Sequence, residues 1–436
     1  MVLMVGIGIL FMLGWDPLVH HVGLWDTGTD LWGIFRGAHS VALGFLGGIY
    51  LPANGVVAFP GVPVILAPVA MLGDSLHLTE AAALVAHPTV ALILQPVELL
   101  LASTVVFAAD ALAERLQVGN GRRISLCFLV AIIAWPTAAI WGHAEDALAM
   151  TFTMYAMVAL LDRRWSGCGW LLGCGIVIQP LVALTLPLFI GAAPPGRRLL
   201  LAVRSAALSV VLVGVAFVGN AAGTYRQLVT QPTPPSVNHP TPWMALAPKV
   251  TSGGMQTIRQ VIRLSGRGVP AFTVVTSTVH PVVEVAGGPG RLIDVAVALL
   301  LGLYVWRRPQ HAVRLLWLVA VILASRCFFE AVMTPYYIAP PLFLGLVLAA
   351  RQGAKRFWAA AVIAIEITVF AYHHLNPWVW WVPVVAGLAA VLALGYPSDV
   401  SEAVGSPAEA PPEPTSPGLE VEPRWPTRHV EPALQR

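Results

Sequence analysis

The sequence predicts an all-α fold, a polytopic membrane helical bundle, and three observations carry that prediction. The 436 residues are 57% hydrophobic and only 11% charged, with a mean hydropathy of +0.76, and a water-soluble domain could not build a polar surface from that composition. Apolar stretches near the roughly 20 residues a helix needs to cross a bilayer recur along most of the chain. Short arginine-rich connectors separate many of them. Together these features predict about 9–12 transmembrane or re-entrant helices within residues 1–395.

The chain opens with "MVLMVGIGILFMLGWDP", which lacks the basic start and small-residue cleavage site of a secretory signal and reads as a short first transmembrane helix. Further spans are expected near 91–113, 124–141, 145–161, 169–190, 199–219, 291–306, 312–330, 338–350, 356–371 and 378–395. The stretch 62–90, broken by Pro63, Pro68 and Pro88, reads as short interfacial or re-entrant helices. Residues 396–436 are rich in Pro and Glu, cannot build a core, and are expected to form a disordered cytoplasmic tail.

Charge placement sets an expected orientation. The basic residues are 23 Arg and 2 Lys, and a scattered net charge of +3 speaks against a nucleic-acid partner. Positive short loops stay in the cytoplasm, so "ERLQVGNGRR", "DRRW", "PPGRRLLLAVR", "WRRPQHAVR" and "RQGAKR" are assigned inside. An even number of crossings must then lie between "DRRW" and "PPGRR". The apolar stretch there is split at Gln179-Pro180, which reads as two half-spans or a re-entrant hairpin. Every other junction falls on the extracytoplasmic face, including loops 15–62 and 221–290. The four cysteines lack metal-ligand spacing and read as packing residues.

Polar residues gather on that one face. In "WGHAED", His143, Glu145 and Asp146 stand between two apolar spans. A carboxylate in the first turn of a helix is favoured by the helix dipole, which explains one acid more readily than two with a histidine, and ionisable groups at membrane depth point to function. Arg326 and Glu330 are spaced to share a helix face, where they either neutralise each other or leave Arg326 for a phosphate, with Tyr336 or Tyr337 lining a cavity. The first loop supplies Asp16, Asp26 and Asp30 among Trp15, Trp25 and Trp32, which read as interfacial anchors. His239 lies in the long loop, in "NHPTPW".

These motifs resemble the GT-C superfamily of polyprenyl-phosphate-sugar-dependent glycosyltransferases. The likeness rests on the first span with its acidic outer loop, on "GHAED" and on "GWLLGCGIVIQPLVALTLPLF". The loops "QPTPPSVNHPTPWMALAP" and "SRCFFEAVMTPYYIAPP" add to it, and the nearest likeness is to family 87 and related actinobacterial membrane proteins. The resemblance covers residues 1–395. It implies transfer of mannose or a pentose, with inversion, from a polyprenyl-phosphate donor to a glycan or glycolipid acceptor hydroxyl at the extracytoplasmic face of the cell membrane.

In that scheme Asp16 or Asp26 is the base, and His143, Glu145, Asp146, His239, Arg326, Glu330, Tyr336 and Tyr337 bind substrate. Arg259 or Arg263 would also face phosphate. No metal ligand set and no cofactor is assigned, but a divalent cation, if one is used, falls to Glu145 and Asp146. Two features depart from the family pattern: Gln179 replaces a basic residue common before the proline, and the first loop has no Asp-x-Asp, which leaves the base open among Asp16, Asp26 and Asp30. The competing readings are a transporter or flippase for a lipid-linked or polar substrate, whose broken helices usually come in pairs, and a non-catalytic membrane protein.

Overall fold

The structure, a computed structural model, describes residues 29–51, 54–76, 88–139, 141–233, 235, 238–250, 255–266, 269–281, 284–373 and 375–398, with backbone alone for 29, 88–92 and 255–281. The expected first span, Asp16, Asp26 and the tail from 399 onward lie outside the described residues. Among the described residues seven helices are long and apolar enough to cross a membrane. The chain is a multi-pass, all-α membrane protein.

In chain order the helices are α1 (Thr29–Ala42), α2 (Gly61–Ser75), α3 (Pro88–Arg115), α4 (Asn120–Ala139), α5 (Ala144–Leu161) and α6 (Trp165–Ile178). A tight 3-10 turn, Pro180–Thr185, leads into α7 (Leu186–Ala192), then α8 (Pro195–Gly219) and the short α9 (Ala221–Tyr225). After the long loop come α10 (Pro289–Arg307), α11 (Ala312–Phe329), α12 (Ala339–Gln352), α13 (Ala354–Phe370) and α14 (Pro377–Leu394). Most expected spans coincide with these helices. One stretch read as loop is helical instead, since α1 lies inside the first outer loop, and in the stretch read as short helices α2 continues through Pro68.

Connectors bring the arginine-rich turns to one end of the bundle. Arg115, after α3, pairs with Asp162, after α5, and Arg122 donates to the carbonyl of Ala350 near the end of α12. The guanidinium of Arg198 sits 3.8 Å over the ring of Trp306, which joins the start of α8 to the end of α10. Arg123 grips Asp110 through two hydrogen bonds of 2.8 Å. The opposite end, called the site end below, holds "WGHAED", the 221–288 loop and the "TPYY" turn.

The break at Gln179-Pro180 follows from backbone chemistry. Proline disfavours a helical conformation in the residue before it and has no N–H to give, and Gln179 is extended at φ −140° and ψ 113°. Helix α6 therefore climbs from the arginine end and stops at the site end, and the Pro180–Thr185 turn with α7 returns. Trp165–Ile178 and Pro180–Ala192 are short apolar helices, outside the seven that are long and apolar enough to cross a membrane.

The loop between α9 and α10 is not helical. Strands β1 (His239–Pro240) and β6 (Val332–Met333) pair antiparallel, as do β2 (Lys249–Val250) and β5 (Glu284–Val285), while β3 (Met255–Gly266) and β4 (Val269–Pro281) form a long hairpin. The first pair fastens the loop over the end of α11. Thr241 donates to the carbonyl of Glu330 at 2.6 Å and Trp243 Nε1 to that of Phe328 at 2.7 Å, which satisfies carbonyls that a helix end leaves without partners.

Close helix contacts use small residues, as lipid-solvated packing requires. At Gly302 on α10 an added Cβ would lie 2.5 Å from Pro187 Cβ, and at Gly191 one would lie 2.7 Å from the Gly302 carbonyl oxygen. On the exposed side of α8 nothing lies within 4 Å of the corresponding position on Gly214. Gly302→Val should therefore cost about 1–3 kcal/mol by overpacking, whereas Gly214→Ala should be neutral or stabilising by a few tenths of a kcal/mol up to about 1. Unfolding in detergent measures both, and equal effects would dismiss the close-packing account.

Candidate functional site

The site grows from the turn between α4 and α5. Gly142 takes a left-handed φ of +66°, cheap only for glycine, and an added Cβ there would meet Leu31 Cβ at 3.0 Å. This one residue reverses the chain and admits α1. Consequently Asp30 reaches His143, with Oδ2 at 3.3 Å from Nε2. On the other side of the ring His143 Nδ1 lies 2.5 Å from Glu145 Oε1.

The first turn of α5 gathers further acid. Glu98, buried in the middle of α3's apolar sequence, accepts from the backbone N–H of Ala144 at 3.0 Å, so α5 is capped by a side chain from another helix. Gln179 Nε2 donates to Asp146 Oδ1 at 2.5 Å. The positive end of the helix dipole favours all these carboxylates. Even so, Glu145 Oε2 and Asp146 Oδ2 are buried with no hydrogen-bond partner among the described residues. Buried carboxylate oxygens left over in this way are costly unless something completes them.

Burial by itself opposes a charge on His143, but the carboxylates of Glu145 and Asp30 outweigh it, and the imidazole holds its proton well above the usual histidine range. The Tyr336 ring stacks on that imidazole at 4.3 Å and 26°. Burial, with Tyr337 and Asp146 nearby, pushes the Tyr336 hydroxyl well above its usual value, so it stays a donor. Trp141 completes an aromatic wall with Tyr336 at 6.0 Å and Tyr372 at 6.1 Å.

The cationic part comes from α10 and α11. Glu330, at the end of α11, is shared by two guanidinium groups: Arg326 Nε at 3.3 Å and Arg291 Nε at 3.1 Å. Arg326 also lies over the Tyr337 ring at 3.6 Å. A buried ion pair adds little net stability, since desolvation offsets attraction. Asp294, buried on α10, is a second carboxylate close to both arginines, so the cluster is balanced in charge, while the two guanidinium groups themselves line the cavity.

These groups face a cavity of about 430 Å³ lined by Asp30, Trp141, His143, Glu145, Gln179, Arg291, Arg326, Tyr336 and Tyr337, with loop residues 57–59, 227, 231–233 and 238. Of the residues singled out in the sequence, His143, Glu145, Arg326, Tyr336 and Tyr337 come together there. Asp146 and Glu330 stand behind the wall and orient Gln179 and the arginines. His239 is turned elsewhere, stacked on Trp380 at 4.3 Å and 3°, and its neighbour Asn238 lines the cavity instead. Arg259 and Arg263 lie on β3, their side chains outside the described residues. Among the described residues no group of three or more His, Cys, Asp or Glu is arranged to hold a metal ion.

Sequence reasoning passed over three contributors. Glu98 had a signal, a lone carboxylate inside an apolar span. Arg291, in "GPGRL", and the pairing of Gln179 with Asp146 had none beyond residue type. No protein-family model matches the chain, and no curated protein matches it at a significant level.

Because the folded state raises the pKa of His143 above its ordinary value near 6.5, its charge contributes stability that is fully present below about pH 6.5 and is lost as pH rises through the raised value. His143→Gln should therefore lie furthest below the wild type in chemical denaturation at about pH 6, with the gap closing as pH rises above the ordinary histidine range. A gap that stays constant as pH rises would remove the charged imidazole from the account.

Proposed function

We propose that the protein is a membrane glycosyltransferase of the GT-C kind, which moves mannose or a pentose from a polyprenyl-phosphate donor to a cell-envelope acceptor hydroxyl. The observation that carries this reading is the cavity itself: carboxylates, aromatic rings and an arginine pair converge at one end of a lipid-spanning bundle, where a lipid-linked donor presents its phosphate. The arginine-rich connectors occupy the other end, so by the positive-inside rule the cavity faces the extracytoplasmic side.

Among the described residues Asp30 is the first-loop carboxylate that lines the cavity, and its side chain is about half exposed, at 49%. It is placed to take the proton of the acceptor hydroxyl. The hydroxyl oxygen attacks the anomeric carbon, the bond from that carbon to the phosphate oxygen breaks, and the electron pair leaves with the phosphate. Arg326 and Arg291 stabilise the departing charge. Trp141 and Tyr336 offer apolar faces to a sugar ring, while Glu145 holds the imidazole between itself and Asp30.

Asp30→Asn and Glu145→Gln preserve size and should leave the protein folded. Each should cut transfer from a radiolabelled polyprenyl-phosphate sugar by roughly 10² to 10⁴ if its carboxylate acts as a positioned acid or base. Wild-type turnover in both variants would return the cluster to a structural role. The helix break at Gln179, which lines the cavity, also fits a carrier for a polar ligand. In proteoliposomes a carrier would move the labelled lipid-linked sugar intact, whereas the transferase cleaves it.

The orientation has its own check. Lys249 is exposed on the loop at the site end, and Lys249→Cys, with the four native cysteines replaced, should react with an impermeant thiol reagent added to intact cells. Reaction only after the cells are opened would reverse the assignment.

A further inference from the structure

We infer that Gln227, Gln231 and Asn238 form a neutral amide subsite for the sugar ring next to the donor phosphate, so that this short loop decides which glycosyl group is accepted; the inference rests on the transferase reading above. All three line the cavity. Their carboxamides make no hydrogen bond to another described residue. A carboxamide donates and accepts without carrying charge, which matches hydroxyl groups that do the same. It offers little to a second phosphate.

The position follows from Arg291, whose Nη1 donates to the carbonyl of Thr230 at 3.4 Å. The guanidinium that shares Glu330 with Arg326 is thereby tied to the residue before Gln231. A phosphate held by the arginines has its first substituent beside this carboxamide. Division of labour results: cations take the phosphate, amides the ring attached to it.

The backbone adds an independent observation. Arg226–Thr230 forms a π-turn, closed by the Gln231 N–H on the Arg226 carbonyl at 2.9 Å, a feature frequent at functional sites. Gln231 itself is left-handed, at φ 39° and ψ 63°, where glycine is the usual residue. Gln117 and Arg163 share that conformation but are exposed at the arginine end. Among the described residues Gln231 alone is a non-glycine residue with positive φ that lines the cavity, and strain is kept where a side chain is needed.

The test measures binding of two probes, farnesyl phosphate and farnesyl phosphate carrying mannose or arabinose, to the purified full chain in detergent. In the wild type one of the glycosylated probes should bind about tenfold more tightly than the bare phosphate, the gain expected of two or three neutral hydrogen bonds. Gln231→Gly, Gln227→Ala and Asn238→Ala should each reduce that preference severalfold, together abolish it, and leave the bare phosphate unaffected. Gln231→Gly should be at least as stable as the wild type, since glycine relieves the left-handed strain, and Gln231→Asn should keep part of the preference. A preference retained in the triple variant, or absent from the wild type for both sugars while farnesyl phosphate still binds, overturns the amide subsite and leaves the phosphate site standing. Failure of every probe to bind the wild type overturns the transferase reading and this inference with it.

Discussion

Withdrawing charge from water at one end of a lipid-spanning bundle is the constraint on which the rest of the structure depends. Glu98, His143, Glu145, Asp146 and Glu330 are all nearly inaccessible, and each such group is tolerable only with a matching partner. The arrangement answers this locally. The N-terminus of α5 offers its dipole and backbone N–H groups, the imidazole sits between two carboxylates, and Glu330 lies between two arginines. Among the described residues one oxygen each on Glu145, Asp146 and Asp294 is left without a partner, which marks where the network stops short of completing itself.

The irregular segments do the matching. Each span alone satisfies its own backbone and buries an apolar face, but none presents a cavity. The stop at Gln179 frees a carboxamide for Asp146, the left-handed Gly142 lets α1 approach, and the loop through Thr241 and Trp243 takes up carbonyls at the end of α11. Irregular backbone at membrane depth survives only where it is buried in protein or lines a cavity, and these segments meet that condition. The aromatic contacts across Trp141, Tyr336 and Tyr372 then join α4, the turn before α12 and the end of α13.

Much of the fold was legible because lipid imposes a simple rule on sequence. A span must be apolar, near 20 residues long and free of unpaired charge, so departures are conspicuous: "WGHAED" and the Arg326–Glu330 pair stood out and line or brace the cavity. The Gln179-Pro180 break was legible for the same reason. Arg291 was not, because an arginine after a Gly-Pro turn reads as an ordinary flank. His239 misled, because a histidine in a polar loop looks like a ligand until Trp380 is found stacked against it. Helix α1 was hidden within a loop rich in Trp, Asp and Gly.

By itself the sequence determined that this chain lives in a membrane, where its apolar spans and arginine-rich connectors lie, and that His143, Glu145 and Arg326 stand out as polar groups between them. Hydrophobicity and backbone chemistry act over a few turns of chain, and local composition records them. Only the tertiary structure decided that Asp30 meets His143 across more than a hundred residues, that Glu98 caps a helix not its own, and that Arg291 joins Arg326 on one carboxylate. Such pairings depend on how lipid-solvated helices pack against one another. That packing is set by shape and small residues at many contacts at once, and no single stretch of sequence encodes it.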